Sequence, residues 1–447
     1  MLKKDILTIR AKNIGSGKMK HKKRIPLLRM GVLVSLIVLL SIPLLVSYFY
    51  LPSHIRIIAG EEHLFNFDIP LKANIIQGDN LIIKDTHNSV VQSGLVDLNQ
   101  PLYITMKKEG CTDVTLSFLG LIPIKTVEVK ALPYEELIPC GQVVGIKVNT
   151  AGILVLGVGE FETKGGQASP CKGIIETGDL IISCNGKNLE TKEDLRNCVE
   201  ENSTNHLELK VLRRGVEKAV EVESVYSQSE ETYKIGLWIK DSTQGIGTIT
   251  YIHPETGSFG ALGHGITDAD THRLIPVKDG ELMEAAITRI KKGVKGNPGE
   301  ISGVIDYDEA SIIGEVSQNS PLGIYGKVNQ NLIKRQTLPA IPIAFQDQVH
   351  EGKASVLIDL TGKGVKEYEV EIQKVSKYSN EPSKSMVIKI IDEELLKLTS
   401  GIVQGMSGSP ILQDGRLIGA VTHVFIQDPT RGYGIFIENM LEHSGIE

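Results

Sequence analysis

Alternating hydrophobic and polar residues dominate the chain, and the alternating runs are short. Segments such as LIIKDTHNSVVQSGLV, DVTLSFLGLIPIKTVEVKALP, YEVEIQKV and RLIGAVTHVFI have the period of two that predicts half-buried β-strands. Glycine is frequent, with 45 residues, whereas aromatic residues make up only 5% of the chain. Short strands joined by glycine turns are therefore expected, and the predicted fold class is mostly β.

Changes in this pattern divide the chain. Its 447 residues exceed what one hydrophobic core ordinarily supports. Residues 55–132 predict a small β domain, which the segment ALPYEELIPCG separates from the next. Residues 136–225 combine strands with a helix at 192–200 and predict an α+β domain. Residues 232–447 return to short, regularly spaced strands, which favours a β-barrel-like domain or a sandwich of two halves.

One run is uniformly hydrophobic. Residues 30–50, MGVLVSLIVLLSIPLLVSYFY, contain no charged side chain and are long enough to span a bilayer. Residues 1–29 carry ten Lys or Arg side chains and one acid, Asp5, so the positive-inside rule keeps them cytoplasmic and exports the body. We expect a single-pass anchor. A cleaved signal peptide is the alternative, although no clear cleavage site follows the run.

Charge and cysteine content narrow the possible partners. The net charge is −6 despite the basic start, and an acidic body argues against a nucleic-acid-binding protein. Five cysteines cannot all pair. One or two disulfides among Cys140, Cys171, Cys184 and Cys198 are compatible with export, and buried free thiols fit at least as well. No metal-ligand spacing is present, so we expect neither a metal nor an organic cofactor.

Ser407 is the candidate nucleophile. It lies in GIVQGMSGSP, residues 401–410, where Gly405 and Gly408 permit backbone angles that other residues resist. A tight turn of this kind presents the hydroxyl, and the N–H groups of Gly405 and Ser407 are candidate oxyanion donors. A structural glycine–serine turn is the alternative, because a serine without a base is inert.

A base and an acid must come from elsewhere in the chain. His264, between glycines in SFGALGHGITD, is the best-placed candidate base. His423, in IGAVTHVFI, fits a cleft position and a structural position equally. Asp392, before the helix-like DEELLKLTS, is the candidate acid, but Asp is also a preferred helix N-cap. Triad members meet in space rather than in sequence, so three further acids compete: Asp268, Asp270 and Asp306.

Residues 136–225 contain a recognisable order of motifs. Gly178-Asp179 leads into a strand, Asn185-Gly186 forms a hairpin turn, the helix follows, and a strand ends in Arg213-Arg214-Gly215. This order resembles a PDZ domain of the kind appended to bacterial proteases, which holds a peptide as an added strand beside a helix. The resemblance places the groove near Val144, Gly145 and Ile146. A simple strand glycine at 145 is the alternative.

A broader resemblance covers essentially the whole chain. It rests on LIPCGQVVGIKVNTAGILVLG, GIGTITYIHPETGSFGALGHGITD, GIVQGMSGSPIL and GAVTHVFIQDPTRGYGIFIENML. These stretches resemble the SpoIVB-type stage IV sporulation peptidases. The resemblance implies a membrane-associated serine endopeptidase with a PDZ domain, in which His264 is the general base, Asp392 its orienting acid and Ser407 the nucleophile.

The same resemblance implies a biological role. Such a protein is made in the forespore, anchored in its membrane, and acts in the space between the forespore membranes. It processes itself and cleaves a membrane-bound regulator that holds an intramembrane protease inactive, which releases maturation of a late mother-cell sigma factor. The alternative is a catalytically inactive PDZ scaffold that binds a membrane partner. A cysteine enzyme is disfavoured, since residues 232–447 contain no cysteine.

The serine turn also resembles the GDSGGP turn of chymotrypsin-type proteases, with differences. Met406 replaces the acid that pairs with a newly cut N-terminus, and Ser409 replaces the second glycine of the pair. Chymotrypsin-type enzymes carry their acid far upstream, whereas Asp392 precedes Ser407 by only 15 residues. The acid role of Asp392 therefore depends on the narrower family alone.

Overall fold

The computed structural model describes residues 51–67, 72–75, 80–87, 89–91, 94–118, 122–202 and 206–444. The chain divides into two units, Met1–Leu51 and Pro52–Glu447, and the elements described below belong to the second. The predicted membrane segment, residues 30–50, and the basic residues 1–29 lie outside the described residues. Within the described ranges, no helix combines the length and hydrophobicity needed to cross a bilayer.

The first part of the second unit consists of two small sheets. Its strands are β1 (His54–Ile58), β2 (His63–Phe65), β3 (Lys72–Ile75), β4 (Leu81–Lys84), β5 (Gly94–Asp97), β6 (Leu102–Met106), β7 (Gly110–Phe118) and β8 (Ile122–Leu132). One sheet has the order β1-β8-β7-β3-β5 and the other the order β2-β6-β4. Successive side chains of a strand point to opposite faces of its sheet. In β6, Leu102, Ile104 and Met106 lie on the buried face.

These sheets are joined to the later chain through buried polar contacts. His63 Nε2 accepts a hydrogen bond from the Ile58 N–H, so His63 Nδ1 carries the proton. That proton is donated to Asp347 Oδ2, at 2.7 Å, and both side chains are almost completely buried. Arg416 Nη1 lies 3.3 Å from Glu61 Oε2 nearby. The small β region therefore packs against a later part of the chain, around Asp347 and Arg416.

A mixed segment follows, with one α-helix among the described residues. Its elements are β9 (Glu136–Pro139), β10 (Val143–Val158), β11 (Phe161–Thr163), β12 (Gly166–Ala168), β13 (Leu180–Cys184), β14 (Lys187–Asn188), α1 (Lys192–Glu201), β15 (His206–Arg213), β16 (Val216–Glu223), β17 (Val225–Ser227) and β18 (Thr232–Lys234). Thr191 caps α1, and Asp194 completes a capping box. A disulfide joins Cys184 of β13 to Cys198 of α1, while the described residues leave Cys140 and Cys171 as buried free thiols.

The next strands include those that close a barrel with the first half of β10. They are β19 (Leu237–Ile252), β20 (Ser258–Ala261), β21 (Val277–Met283), β22 (Ala285–Lys291), β23 (Gly299–Ile305), β24 (Ile312–Ser320), β25 (Gly323–Val328) and β26 (Ile341–Pro342), with α2 (Gln330–Arg335) before β26. Strands β10, β21, β24, β25, β20 and β19 are successive neighbours, and β19 pairs back with β10. Strand β10 thus belongs both to this barrel and to the inserted segment.

The last strands include the six that form a second closed barrel. They are β27 (Gly352–Ile358), β28 (Lys366–Val375), β29 (Met386–Ile390), β30 (Val403–Gln404), β31 (Pro410–Gln413), β32 (Arg416–Phe425) and β33 (Asp428–Phe436), with α3 (Glu393–Thr399) and α4 (Ile437–Leu441). The barrel order is β27-β28-β29-β33-β32-β31. In β28, Tyr368, Val370 and Ile372 point inward between exposed neighbours. Burial of each aliphatic side chain contributes roughly 1.5–3 kcal/mol. The prediction of a mostly β chain is confirmed.

The peptide-binding position predicted at Val144, Gly145 and Ile146 is wrong. These residues lie in the barrel part of β10, where Val144 and Ile146 are buried. Gly145 pairs with Ile246 of β19 on one edge and with Met283 of β21 on the other. An added peptide strand needs an unpaired edge, and this segment has none.

Candidate active site

The candidate nucleophile lies in a tight turn between β30 and β31. Gly405 and Gly408 have φ angles of 100° and 95°, which L side chains rarely adopt, so the glycines permit the turn. Ser407 is half-buried between them. Its Oγ donates a hydrogen bond to the Thr422 carbonyl oxygen, at 2.7 Å. The turn therefore presents the hydroxyl as the sequence predicted, and Thr422 of β32 is its present acceptor.

Strand β19 of the first barrel holds this turn from outside the second barrel. Thr248 Oγ1 donates to the Gly405 carbonyl at 2.8 Å, and the Thr248 N–H donates to the Ser407 carbonyl at 3.1 Å. Thr250 Oγ1 donates to the Gly408 carbonyl at 2.8 Å. Both threonine side chains are buried, where each such bond is worth about 1 kcal/mol. The nucleophile is thus positioned where the two barrels meet.

His264 reaches the same place from the first barrel. It follows β20 after Leu262 and Gly263, which both have positive φ angles. A Cβ at Gly263 would lie 2.9 Å from Thr422 Cγ2, so glycine allows the loop to pack against β32. His264 Nδ1 lies 3.0 Å from the Gly265 carbonyl oxygen. A carbonyl only accepts, so Nδ1 carries the proton and Nε2 is free to act as a base.

A cavity of about 800 Å³ brings the two residues together. His264, Ser407 and His423 line it. The rings of His264 and His423 lie 5.0 Å apart between centroids, at 36°. Burial lowers the pKa of His264, and the bond to Gly265 only partly opposes this. Burial, followed by unfavourable interactions of a protonated ring with His264 and with the charged Lys384, lowers the pKa of His423 to about 4. Both rings are therefore neutral at neutral pH, as a general base requires.

One comparison with known proteins covers the part of the chain that carries this site. Residues 231–441, just under half of the chain, match the family model described as SpoIVB peptidase S55. The part of the chain that this model matches is a SpoIVB-type serine peptidase. The match begins just before β18 and ends in α4, so it contains both His264 and Ser407.

Similar solved structures include two forms of the Rv3671c protease from M. tuberculosis. The active form is 14% identical, with a TM-score of 0.25, over 45% of this chain and 75% of that chain. The inactive form is 16% identical, with a TM-score of 0.23, over 45% of this chain and 84% of that chain. TM-scores this low do not support a conclusion about the fold or the activity of this SpoIVB-type peptidase. No curated protein matches the chain.

The acid predicted for this SpoIVB-type peptidase does not meet the base in the structure. Asp392 is the N-cap of α3: its Oδ1 accepts from the Leu395 N–H at 2.9 Å, and its Oδ2 from the Glu369 N–H at 3.4 Å. Asp392 does not line the cavity. His264 Nδ1 donates its hydrogen bond to the Gly265 carbonyl oxygen rather than to a carboxylate. Its role as orienting acid therefore stays a prediction that rests on the family resemblance.

The competing acids are also engaged elsewhere. Asp268 is buried and accepts from the N–H groups of Asp270 and Thr271. Asp306 accepts from the Ser311 hydroxyl, at 2.6 Å. Among the described residues that line the cavity, none is Asp or Glu. Nine aliphatic side chains contribute to the lining instead: Ile146, Ile246, Leu262, Ile266, Leu274, Ile402, Val403, Val424 and Ile426.

The predicted oxyanion donors lie in the same turn. Within the described part of the chain, the Ser407 N–H donates to no backbone or side-chain acceptor, which leaves it free for an incoming oxyanion. Gly405 lines the cavity beside it. Their role as donors stays a prediction. The same described residues contain no group of three or more His, Cys, Asp or Glu arranged to hold a metal ion.

Sequence reasoning missed the threonines that hold the nucleophile turn. Thr248 and Thr250 alternate in GIGTITYI like any inward-facing strand residues. Their acceptors are about 158 positions further along the chain, so no local pattern identifies them. The hydrogen bonds from Thr248 and Thr250 to the nucleophile turn form only because the two barrels pack against each other.

Proposed function

We propose that this sporulation serine peptidase is a membrane-tethered signalling endopeptidase. Its protein substrates are itself and a membrane-bound regulator of an intramembrane protease, and cleavage of the regulator triggers maturation of a late mother-cell sigma factor. We further propose that the anchor at residues 30–50 lies in the forespore membrane and the body lies in the intermembrane space. The family resemblance supports these proposals, together with one observation: Ser407 and His264 line a single cavity.

The proposed reaction uses a serine and a histidine. The Ser407 hydroxyl turns from the Thr422 carbonyl toward His264, whose Nε2 takes the proton as Oγ attacks the scissile carbonyl. The N–H groups of Gly405 and Ser407 receive the oxyanion. The His264 imidazolium then protonates the leaving amine, and the neutral ring activates water to release the acyl-enzyme. The Gly265 carbonyl keeps the Nδ1 proton in place throughout.

The pH dependence of Ser407 acylation tests the base. We expect the rate of labelling of the full chain by a fluorophosphonate probe to rise with pH along a single acidic limb, because only neutral His264 accepts the serine proton. Burial lowers the pKa of His264, so the midpoint should lie below about 6.5. A midpoint above 7, or a rate independent of pH, would contradict the assignment. No labelling at any pH would favour the inactive scaffold.

Asp392→Asn tests the proposed acid. Asn caps a helix about as well as Asp, so this change removes the charge while α3 keeps its cap. If Asp392 orients the base, labelling and hydrolysis should fall by several orders of magnitude, on the order of 10⁴-fold as in other triads. The melting temperature should stay within a few degrees of the wild type. Unchanged rates would leave Asp392 with the capping role alone.

A further inference from the structure

Two hairpin turns lie side by side next to the active-site cavity. The first joins β22 to β23 and is closed by two bonds: the Val294 N–H donates to the Asn297 carbonyl at 3.0 Å, and the Asn297 N–H donates to the Val294 carbonyl at 2.9 Å. The second joins β32 to β33 at Ile426 and Gln427. The Gly296 N–H donates to the Ile426 carbonyl at 2.8 Å, so the two turns are held together. We call residues 292–298 and 425–428 the paired turns.

Each of the paired turns exposes one aliphatic side chain. Val294 is 59% exposed and Ile426 is 58% exposed. Exposed aliphatic surface gains free energy when it leaves water. Pro298 of the first turn and Ile426 of the second also line the active-site cavity. Because Ile426 is both exposed and part of the lining, the paired turns lie at the opening of the cavity.

A surplus of positive charge lies around the first turn. Residues 285–305 contain one acid, Glu300, whereas the chain as a whole has a net charge of −6. The same residues contain four exposed basic side chains: Arg289, Lys291, Lys292 and Lys295. In the part of the chain that the structure describes, none of these four forms an ion pair. Arg289 pairs with Ser302 and Lys291 with Glu300 across the hairpin, so both cations lie on one face of it.

The composition of this surface favours a lipid bilayer over an acidic protein as its partner. Protein-binding surfaces are depleted in Lys and enriched in aromatic residues. Here three of the four cations are Lys, and the exposed apolar side chains are two aliphatic ones at turns. A segment that lies in a membrane interface presents this combination, because apolar side chains enter the lipid while Lys and Arg side chains attract anionic headgroups.

We propose that the paired turns are a docking site for the surface of an anionic bilayer. Val294 and Ile426 enter the boundary between the headgroups and the acyl chains. The cations around the first turn bind the phosphate groups of the lipids: Arg289, Lys291, Lys292 and Lys295. Their aliphatic stems lie along the apolar boundary while the charged ends stay at the headgroups.

Docking places the active site at the bilayer surface. Strand β23 follows the first turn and pairs with β30, where Gly299 is opposite Val403. The nucleophile turn begins directly after β30, at Gly405. The opening of the cavity therefore lies at the lipid, and peptide bonds close to a membrane surface reach Ser407 most easily. This consequence rests on the proposed function; the docking site itself does not.

The test measures contact between the second turn and lipid in the full chain. Gln427→Trp in a Trp238→Phe background makes the new indole the only one, because the chain has a single Trp. The protein is reconstituted in phosphatidylcholine vesicles with or without phosphatidylglycerol, each containing a spin-labelled lipid that quenches indole fluorescence. We expect quenching to be at least about twofold stronger with phosphatidylglycerol. Val304→Trp in the same background is the matched control: Val304 is 63% exposed at the far end of the β22–β23 hairpin and should show equal quenching in both vesicles.

Two sets of variants identify the groups that bind the lipid. Replacing Lys291, Lys292 and Lys295 together by Gln should abolish the difference between the vesicles, because each lysine strengthens binding to an anionic surface about fivefold. Replacing three other exposed lysines by Gln removes the same charge and should leave the difference unchanged: Lys164, Lys210 and Lys218. Val294→Ser should weaken the quenching at least about twofold, since it removes the aliphatic contact. Melting curves verify that each variant is folded.

Three outcomes would overturn the proposal. The first is equal quenching of the Gln427→Trp indole in the two vesicles, and the second is equal quenching of the Gln427→Trp and Val304→Trp indoles. The third is binding of polyglutamate that requires the three lysines, without lipid quenching, which would assign the surface to an acidic protein segment. The quenching is measured in a Ser407→Ala background as well, so the docking result stands even if the proposed peptidase function fails.

Discussion

Ser407→Ala should abolish fluorophosphonate labelling and lower peptide hydrolysis by about 10⁶-fold, as loss of a serine nucleophile does in other peptidases. The physical reason is that no other hydroxyl in the turn can replace it: Ser409 is completely buried, whereas Ser407 lines the cavity. The fold should survive, because the lost hydrogen bond to the Thr422 carbonyl is worth only about 1 kcal/mol. Fluorophosphonate labelling is measured by gel electrophoresis, and folding is measured by thermal melting.

Ser409→Ala is the matched control in the same turn. Within the described residues, the Ser409 hydroxyl is buried and has no hydrogen-bond partner. Its removal should therefore leave labelling unchanged and stability equal or slightly higher. If Ser407→Ala were still labelled, the nucleophile would be a different residue. If both variants lost labelling together, the turn rather than the hydroxyl would be the cause.

Gly408→Ala should destroy the site by disrupting the contact between the barrels. A Cβ at this position would lie 2.1 Å from the Thr248 carbonyl oxygen and 2.5 Å from the Leu262 backbone nitrogen. Both are backbone atoms, so neither can move aside alone. Together with a φ angle of 95°, the clash should cost at least about 3 kcal/mol. Urea denaturation should show this loss, and labelling of Ser407 should fall with it.

Gly415→Ala separates the clash from the backbone strain. Gly415 also has a positive φ angle, 76°, but a Cβ there would meet nothing within 4 Å. This variant should therefore lose only the strain energy, about 1 kcal/mol, and keep its labelling rate. Equal destabilisation by the two changes would show that the packing of Gly408 against the first barrel does not matter.

Much of the site could be predicted from the sequence because the signals are local. The glycines around Ser407 and those around His264 mark turns that expose a polar side chain, and the structure places both residues at one cavity. Asp392 is different. Its sequence context predicted a helix N-cap as well as an acid, and the structure shows the cap. A local sequence signal cannot decide which distant group a carboxylate will face.

The predicted peptide-binding position shows the same limit more clearly. The order of strand, turn and helix in residues 136–225 predicted a strand-and-helix groove but placed it on Val144, Gly145 and Ile146. In the structure those residues are internal to a barrel, because β19 and β21 cover both of their edges. The pairing of residues 153–158 with the start of β19 involves partners some 80 positions apart, and no periodicity encodes that distance.

By itself, the sequence determined the mostly β class, the turn that presents Ser407 and the loop that presents His264. These follow from two-residue alternation and from glycines that allow positive φ angles, which are properties of neighbouring residues. Only the tertiary structure decided that Thr248 and Thr250 hold the nucleophile turn and that Asp392 caps a helix. It alone showed that the start of β19, residues 237–240, pairs with the second half of β10. The reason is physical: hydrogen bonds between barrels depend on how separately folded strands pack, and short-range patterns carry no information about that packing.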